Sequence, residues 1–155
     1  MTFRNATPVK KRVLFVCIGN SCRSQMAEAF ARTYGGDIAI PASAGLAPAP
    51  YVARNTLRAM AAKNIALTEH FPKGIRDLGR AEFDLVINMS GGYLPAVFGT
   101  AKIIDWDIPD PVAMEYDRHC EIRDAIERRV MDLILDLRKP PEPRFRGQGS
   151  GRLPL

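Results

Sequence analysis

Short, unbroken runs of apolar and β-branched residues alternate along this chain with segments of helical periodicity, and that alternation leaves few folds open. Val13-Leu14-Phe15-Val16-Cys17 has no polar position, as expected of a strand covered on both faces. Ser21 to about Tyr34 follows, with Met26, Ala27, Ala29, Phe30 and Ala31 at helical spacing and Gly35-Gly36 as the stop. A second strand is predicted over Ile38–Ala42. A helix is predicted over Pro50–Lys63, with Leu57, Met60 and Ala61 on its apolar side. Asp84–Met89 and Lys102–Asp105 read as two more strands. The last helix spans about Met114 to Arg138, with Ile122, Ile126, Val130, Leu133 and Leu137 three and four apart. Strands separated by helices make right-handed crossovers, so the chain is an α/β protein. It is a single three-layer domain with a short, mostly parallel central sheet flanked by helices. Ligands in such sheets bind beyond the carboxyl ends of the strands, which points to the segments after Cys17, Met89 and Trp106.

A length of 155 residues suits one domain, and 46% hydrophobic with 25% charged residues excludes a disordered or fibrous chain. No apolar run reaches the ~18 residues of a membrane span, and the polar, basic start has no signal-peptide core. Three cysteines, an odd number without a regular framework, argue for reduced thiols and a cytoplasmic protein. The net charge of +5 raises the question of nucleic acid. The basic excess, however, sits in residues 1–12 (Arg4, Lys10, Lys11, Arg12) and 139–155 (Lys139, Arg144, Arg146, Arg152). The body between them is slightly acidic, so neither nucleic acid nor membrane is an expected partner. Residues 1–12 read as a basic extension, 13–139 as the domain, and the Pro- and Gly-rich 140–155 as a flexible tail.

The chemistry concentrates in Cys17-Ile18-Gly19-Asn20-Ser21-Cys22-Arg23-Ser24. Cys17 closes a strand and Arg23 stands in the first turn of a helix. A loop of this length with Gly19 and Asn20 can curl so that the backbone N–H groups of Ile18 to Cys22 point inward. Those donors and the positive helix end make an anion site, and Arg23 adds a two-pronged grip on a tetrahedral oxyanion. The same field favours the thiolate of Cys17, which can then attack the anion's central atom, while Ser24 can hydrogen-bond the sulfur. The competing reading makes Cys17 a buried strand cysteine. Cys22 reads equally as a partner for a protective disulfide with Cys17 or as a small residue at the helix start. Cys120 reads as packing and His119 as a surface residue. No metal and no organic cofactor is called for, since His70 and His119 stand far apart without a ligand pattern.

The run from Cys17 through Ser24 and on to Gln25-Met26-Ala27-Glu28 resembles the signature of the low-molecular-weight protein tyrosine phosphatases and the arsenate reductases of the same fold. The similarity extends from Val13 to Arg138, through Ser43-Ala44-Gly45, Phe83-Asp84-Leu85-Val86 and Asp110-Pro111. It implies a phosphatase-I-like fold with Cys17 as nucleophile, Arg23 as oxyanion clamp and Ser24 as thiolate partner. It further implies that Asn20, Ser43 and His70 hold the loop in shape, and that Asp110 is the general acid, its loop restrained by Pro111. Asp107 is only a neighbour of that acid.

The leading expectation is phosphomonoester hydrolysis through a phosphocysteine intermediate, with a phosphotyrosine protein or small aryl phosphate as substrate. The alternative is arsenate reduction of the same fold with an external low-molecular-weight thiol. A non-enzymatic protein that binds phosphate, arsenate or another oxyanion is the third reading. Several features separate the first two. The thioredoxin-linked reductases keep a cysteine pair after the third strand, where this chain reads Ser90-Gly91-Gly92-Tyr93-Leu94-Pro95. Tyrosine-directed phosphatases carry aromatic walls where this chain reads Leu46-Ala47-Pro48 and Val112-Ala113-Met114, unless Tyr51, Tyr93, Trp106 or Tyr116 stands in. The Gln25–Glu28 continuation leans toward the reductases.

Overall fold

The computed structural model describes residues 9–140. Strand β1 (Lys11–Cys17) leads into helix α1 (Arg23–Gly35), then β2 (Ala39–Gly45) and α2 (Arg54–Ala61). A 3-10 turn (Ile75–Leu78), β3 (Leu85–Asn88), β4 (Lys102–Asp105) and α3 (Tyr116–Arg138) complete the order. The strands lie as β2-β1-β3-β4, and every pairing is parallel. In the register, Cys17 pairs with Gly45, Val16 with Asn88, and Asn88 with Asp105, so the carboxyl ends finish together on one edge. The predicted α/β class and parallel sheet are what the chain adopts.

Alternation along β1 explains the layers. Val13, Phe15 and Cys17 join Met26, Phe30, Ile87, Trp106, Ile126 and Val130 in the main core under the helices. Leu14 and Val16 face the other way with Ala44 and Val86, covered by Ile75, Leu78, Phe83, Leu94 and Phe98. The layer on that side is therefore a 3-10 turn and connecting segments rather than long helices. Each wholly buried Phe, Met or Ile side chain contributes roughly 1.5–3 kcal/mol, which is what presses α1 onto the sheet and fixes the helix start beneath the loop.

Several boundaries differ from the sequence reading, for local reasons. β1 begins at Lys11, where the Arg12 N–H donates to Asp84 at 2.8 Å, so Lys11 and Arg12 belong to the sheet and not to an extension. β2 runs on to Gly45 because Ser43–Gly45 stay paired with Phe15–Cys17. α2 begins only at Arg54, since Tyr51 and Ala53 are bonded to the loop at Ser21. Its buried face is Thr56, Ala59 and Met60, while Leu57 and Ala61, predicted to face the core, are exposed. Of the expected extension and tail, residues 1–8 and 141–155 lie outside the described residues. Among the described residues no helix is long and apolar enough to cross a membrane.

Candidate active site

The loop between β1 and α1 has its backbone sorted by direction. All six carbonyls from Cys17 to Cys22 are engaged: they accept from Leu46 N, Ala47 N, Ala49 N, Gln25 Nε2, Ala53 N and Met26 N, at 2.8–3.1 Å. Among the described residues no acceptor meets the N–H groups of Ile18 through Arg23. Carbonyls held outward leave the amides turned inward, the concave nest that binds anions at a helix N-terminus. Asn20 supplies the turn with φ 49°, a left-handed conformation that asparagine tolerates. Gly19, expected to be the permissive residue, has no positive φ; the glycine that the loop requires is Gly45, where a Cβ would stand 2.6 Å from the Ile18 carbonyl oxygen.

Side chains lock that shape. Asn20 Nδ2 donates to Ser24 Oγ at 2.7 Å, which leaves the Ser24 hydrogen free for Cys17 Sγ at 2.9 Å. The Asn20 carboxamide oxygen accepts from Gln25 Nε2 and the Lys73 N–H, both at 3.0 Å. His70 bonds Gln25 Oε1 through Nδ1 at 2.7 Å, and the same nitrogen lies 3.5 Å from Glu28 Oε2. Since a carboxamide oxygen only accepts, this fixes the Nδ1–H tautomer. Burial pushes the His70 pKa down, against the pull of Glu28. Ser43 donates to Glu28 Oε1 at 2.9 Å. Ser43 therefore reaches the loop only through Glu28, His70 and Gln25. Gln25 and Glu28 were missed as structural members of the site; two polar residues three apart on an otherwise apolar helix face were the available signal.

Arg23 lies beside the loop with its guanidinium divided. Nη1 donates to the carbonyls of Met89 and Ile108, the latter at 3.0 Å. Nη2 stands 3.5 Å from Asp110 Oδ2, and Nε is buried with no partner. One side of the fork is thus anchored on the two other strand ends, and the Nε edge remains for an oxyanion. Asp110 has a partly exposed carboxylate whose Oδ1 accepts from the Val112 N–H at 3.1 Å. It shapes the Asp-Pro turn and faces Arg23 at once. Ser24 thus meets Cys17, Arg23 meets Asp110, and Cys17 is 2% exposed.

Cys22 is the buried residue just before α1; burial pushes its thiol up, and the Thr56 hydroxyl pulls it back. Cys17, Cys22 and Cys120 are all free thiols. His119 corrects its reading as a surface residue: it is wholly buried, its Nε2 2.9 Å from Thr56 Oγ1. It sits in the first turn of α3, whose inner face also takes Ile122 and Ile126. Asp107 is exposed. Among the described residues no cluster of metal-ligating side chains occurs.

Trp106 is buried against Phe15, and the Tyr116 ring carries the Arg58 guanidinium 4.1 Å from its centre. Tyr93 is fully exposed on the rim of a groove of about 640 Å³, with Asn88, Asp105 and Trp106 on its other sides. Tyr51 is exposed and holds Ser21 through its carbonyl.

The profile of the family described as low molecular weight phosphotyrosine protein phosphatase matches residues 12–142. The chain belongs to that family. Within it, the chain is 36% identical over 125 residues to arsenate reductase 1 of Bacillus cereus, covering 78% of this chain and 92% of that one. It is 35% identical over 128 residues to the glutaredoxin arsenate reductase of Synechocystis, covering 80% and 96%. A solved arsenate reductase in a phosphate-binding state superposes with a TM-score of 0.75 at 32% identity, covering 82% and 98%.

These likenesses overturn the expectation of a phosphomonoester hydrolase acting on phosphotyrosine. Relatives over most of this phosphatase-family chain are arsenate reductases. The physical reason is that the loop is common to both chemistries and cannot choose between them. The residues expected to choose are aromatic walls, and at their places the sequence has Leu46-Ala47-Pro48 and Val112-Ala113-Met114.

Proposed function

We propose that this protein reduces arsenate to arsenite, with Cys17 as the nucleophile and an external thiol as the final source of electrons. The observation that carries the reading is the 35–36% identity to arsenate reductases across nearly their whole length. The inward amides of Ile18, Gly19, Asn20, Ser21 and Cys22 and the Arg23 Nε edge support it, as a fit for a tetrahedral oxyanion.

The sulfur of Cys17, with Ser24 donating to it, attacks arsenic. Hydroxide leaves as water, its proton supplied by Asp110 across the mouth of the loop. A thiol then attacks the Cys17 sulfur; the sulfur–arsenic bond breaks and arsenic keeps the electron pair, so arsenic(V) leaves as arsenite and a disulfide remains. Ser43 and His70 act at a distance, through Glu28 and Gln25, by keeping Asn20 in its left-handed turn. The Ser90–Pro95 segment has no cysteine, so the relay of the thioredoxin-linked reductases is missing and regeneration needs a thiol from outside.

The test is arsenate-dependent oxidation of thiol, coupled to glutathione with glutaredoxin or to thioredoxin, with arsenite measured directly. Turnover by the wild type and none by Cys17→Ser is the expected result. Silence of the reduced wild-type protein with every thiol source refutes the reading.

A further inference from the structure

We propose that the groove at the carboxyl ends of β3 and β4 is the docking site of the electron donor, and that this donor is a small dithiol protein carrying lysine or arginine around its cysteine. The proposal rests on the arsenate reductase reading and names the class of partner that completes it.

The groove, about 640 Å³ in volume, is lined by the Gly91–Leu94 turn on one side and by Ile103, Asp105 and Trp106 on the other. One side chain ties its walls together. Asn88, at the end of β3, donates from Nδ2 to the Gly92 carbonyl at 2.8 Å and to Asp105 Oδ1 at 2.9 Å. Its own Oδ1 accepts from the Ser90 N–H at 3.1 Å and from the Ser90 hydroxyl at 2.6 Å. Gly91 closes the turn at φ 75°, a left-handed conformation that glycine adopts without steric cost. The pinned turn leads directly into Tyr93, which is fully exposed, and Ile103 on the other wall is half-exposed. An uncovered tyrosine beside an apolar groove is the kind of side chain that anchors a protein interface.

Charge selects the partner. Five carboxylates occur from Asp105 to Asp117 with no lysine or arginine between them, and all five residues are exposed. Asp105 and Asp107 line the groove, and no lysine or arginine does. Asp110 faces Arg23, but among the described residues Asp107, Glu115 and Asp117 pair with no cation. The acidic run continues from the groove past the Asp110–Pro111 turn into the first turn of α3. That face is wider than a small thiol covers, and it attracts a basic protein while repelling an acidic one.

The face also adjoins the oxyanion loop. Met89 and Ile108, whose carbonyls hold Arg23, directly follow the lining residues Asn88 and Asp107. A protein seated on the groove therefore brings its cysteine to the mouth of the nest. With arsenic bonded to Cys17 Sγ, the donor's thiolate attacks that Sγ. The sulfur–sulfur bond forms and the sulfur–arsenic bond breaks, its electron pair staying on arsenic, which leaves as arsenite. The donor's second thiol then attacks the donor's first sulfur, and its proton goes to the Cys17 sulfur as that sulfur is released. Two donor thiols become one disulfide while arsenic(V) becomes arsenic(III).

The experiment is steady-state arsenite formation by the full-length protein at saturating arsenate, with reduced thioredoxin, reduced glutaredoxin or uncharged dithiothreitol as the only thiol. The expected result is turnover that saturates in one of the two proteins. Its kcat/KM for that donor should fall at least about fivefold as ionic strength rises from about 0.01 M to about 0.15 M. Tyr93→Ala and Asp107→Lys should each lower that kcat/KM about tenfold, through the KM for the donor, and leave turnover with dithiothreitol unchanged. Variants equal to the wild type toward the protein donor overturn the proposal, and so does an equal loss with dithiothreitol. Turnover with dithiothreitol but with neither protein also overturns it and leaves the arsenate reductase reading standing. A wild-type dimer in sedimentation that Tyr93→Ala dissociates gives the groove to a second copy of the chain and overturns it too. No arsenite with any of the three thiols overturns both.

Discussion

Gly45 lies where the end of β2 crosses beneath the loop, and replacing it with alanine tests whether the cradle depends on that crossing. A Cβ there would stand 2.6 Å from the Ile18 carbonyl oxygen, 2.9 Å from Asn20 N and 3.0 Å from the Gly19 carbonyl carbon. All three are loop backbone, so no side chain can swing aside. Nor can the two segments part freely, because Leu46, Ala47 and Ala49 donate to the carbonyls of Cys17, Ile18 and Gly19 at 3.1, 2.8 and 2.8 Å. Overpacking of this kind costs about 1–3 kcal/mol, or a fall of roughly 3–12 °C in Tm for a domain of this size. Turning one inward amide away from a bound oxyanion costs about 1.5–3 kcal/mol, which is roughly a 10- to 100-fold loss of affinity. Thermal unfolding and calorimetric titration with phosphate or arsenate measure both. Gly19→Ala is the contrast, because its Cβ would meet Ala49 Cβ at an ordinary 3.6 Å and should cost much less stability. A Gly45→Ala protein as stable as the wild type and equally tight for oxyanion would refute the reasoning.

Ser24→Ala removes the donor to Cys17 and should slow alkylation of that cysteine by iodoacetamide at neutral pH by roughly tenfold or more; an unchanged rate would separate the hydroxyl from the sulfur's reactivity. Arg23→Lys keeps the charge but loses both the fork and the anchors on Met89 and Ile108, so oxyanion binding should weaken by on the order of 10²-fold. Equal binding by the lysine variant, read by calorimetry, would contradict the role of the Nε edge. His70 and His119 are both pushed down from 6.5, so below that pH the unfolded chain takes up protons that the folded chain refuses. Stability should therefore fall as pH drops from 6.5 toward the folded values, and His119→Gln should reduce that slope; melting curves across pH 5–8 that stay flat for the wild type would contradict it.

How much of this was legible depended on whether the determinant was local. The β1 and α3 assignments rested on unbroken and three-four patterned apolar residues, signals that tertiary packing reinforces. The loop was legible because its chemistry is contiguous from Cys17 to Ser24. The start and buried face of α2 are not legible locally, since its entry is set by bonds to Ser21, thirty residues away in sequence. The burial of His119 is illegible for the same reason: nothing near it in sequence reports that Thr56 bonds its ring. The choice of reaction was not written in the loop either, because attack on phosphorus and attack on arsenic ask for the same sulfur, amides and guanidinium.

An oxyanion bound in the nest would have the Cys17 sulfur beneath it. The most direct measurement is a crystal of the Cys17→Ser protein soaked in arsenate and read by the anomalous signal of arsenic. The account predicts one peak within the loop, its oxygens reached by the amides of Ile18 to Arg23 and by Arg23 Nε. An arsenic peak elsewhere on the protein, with the loop unoccupied at saturating arsenate, would contradict it.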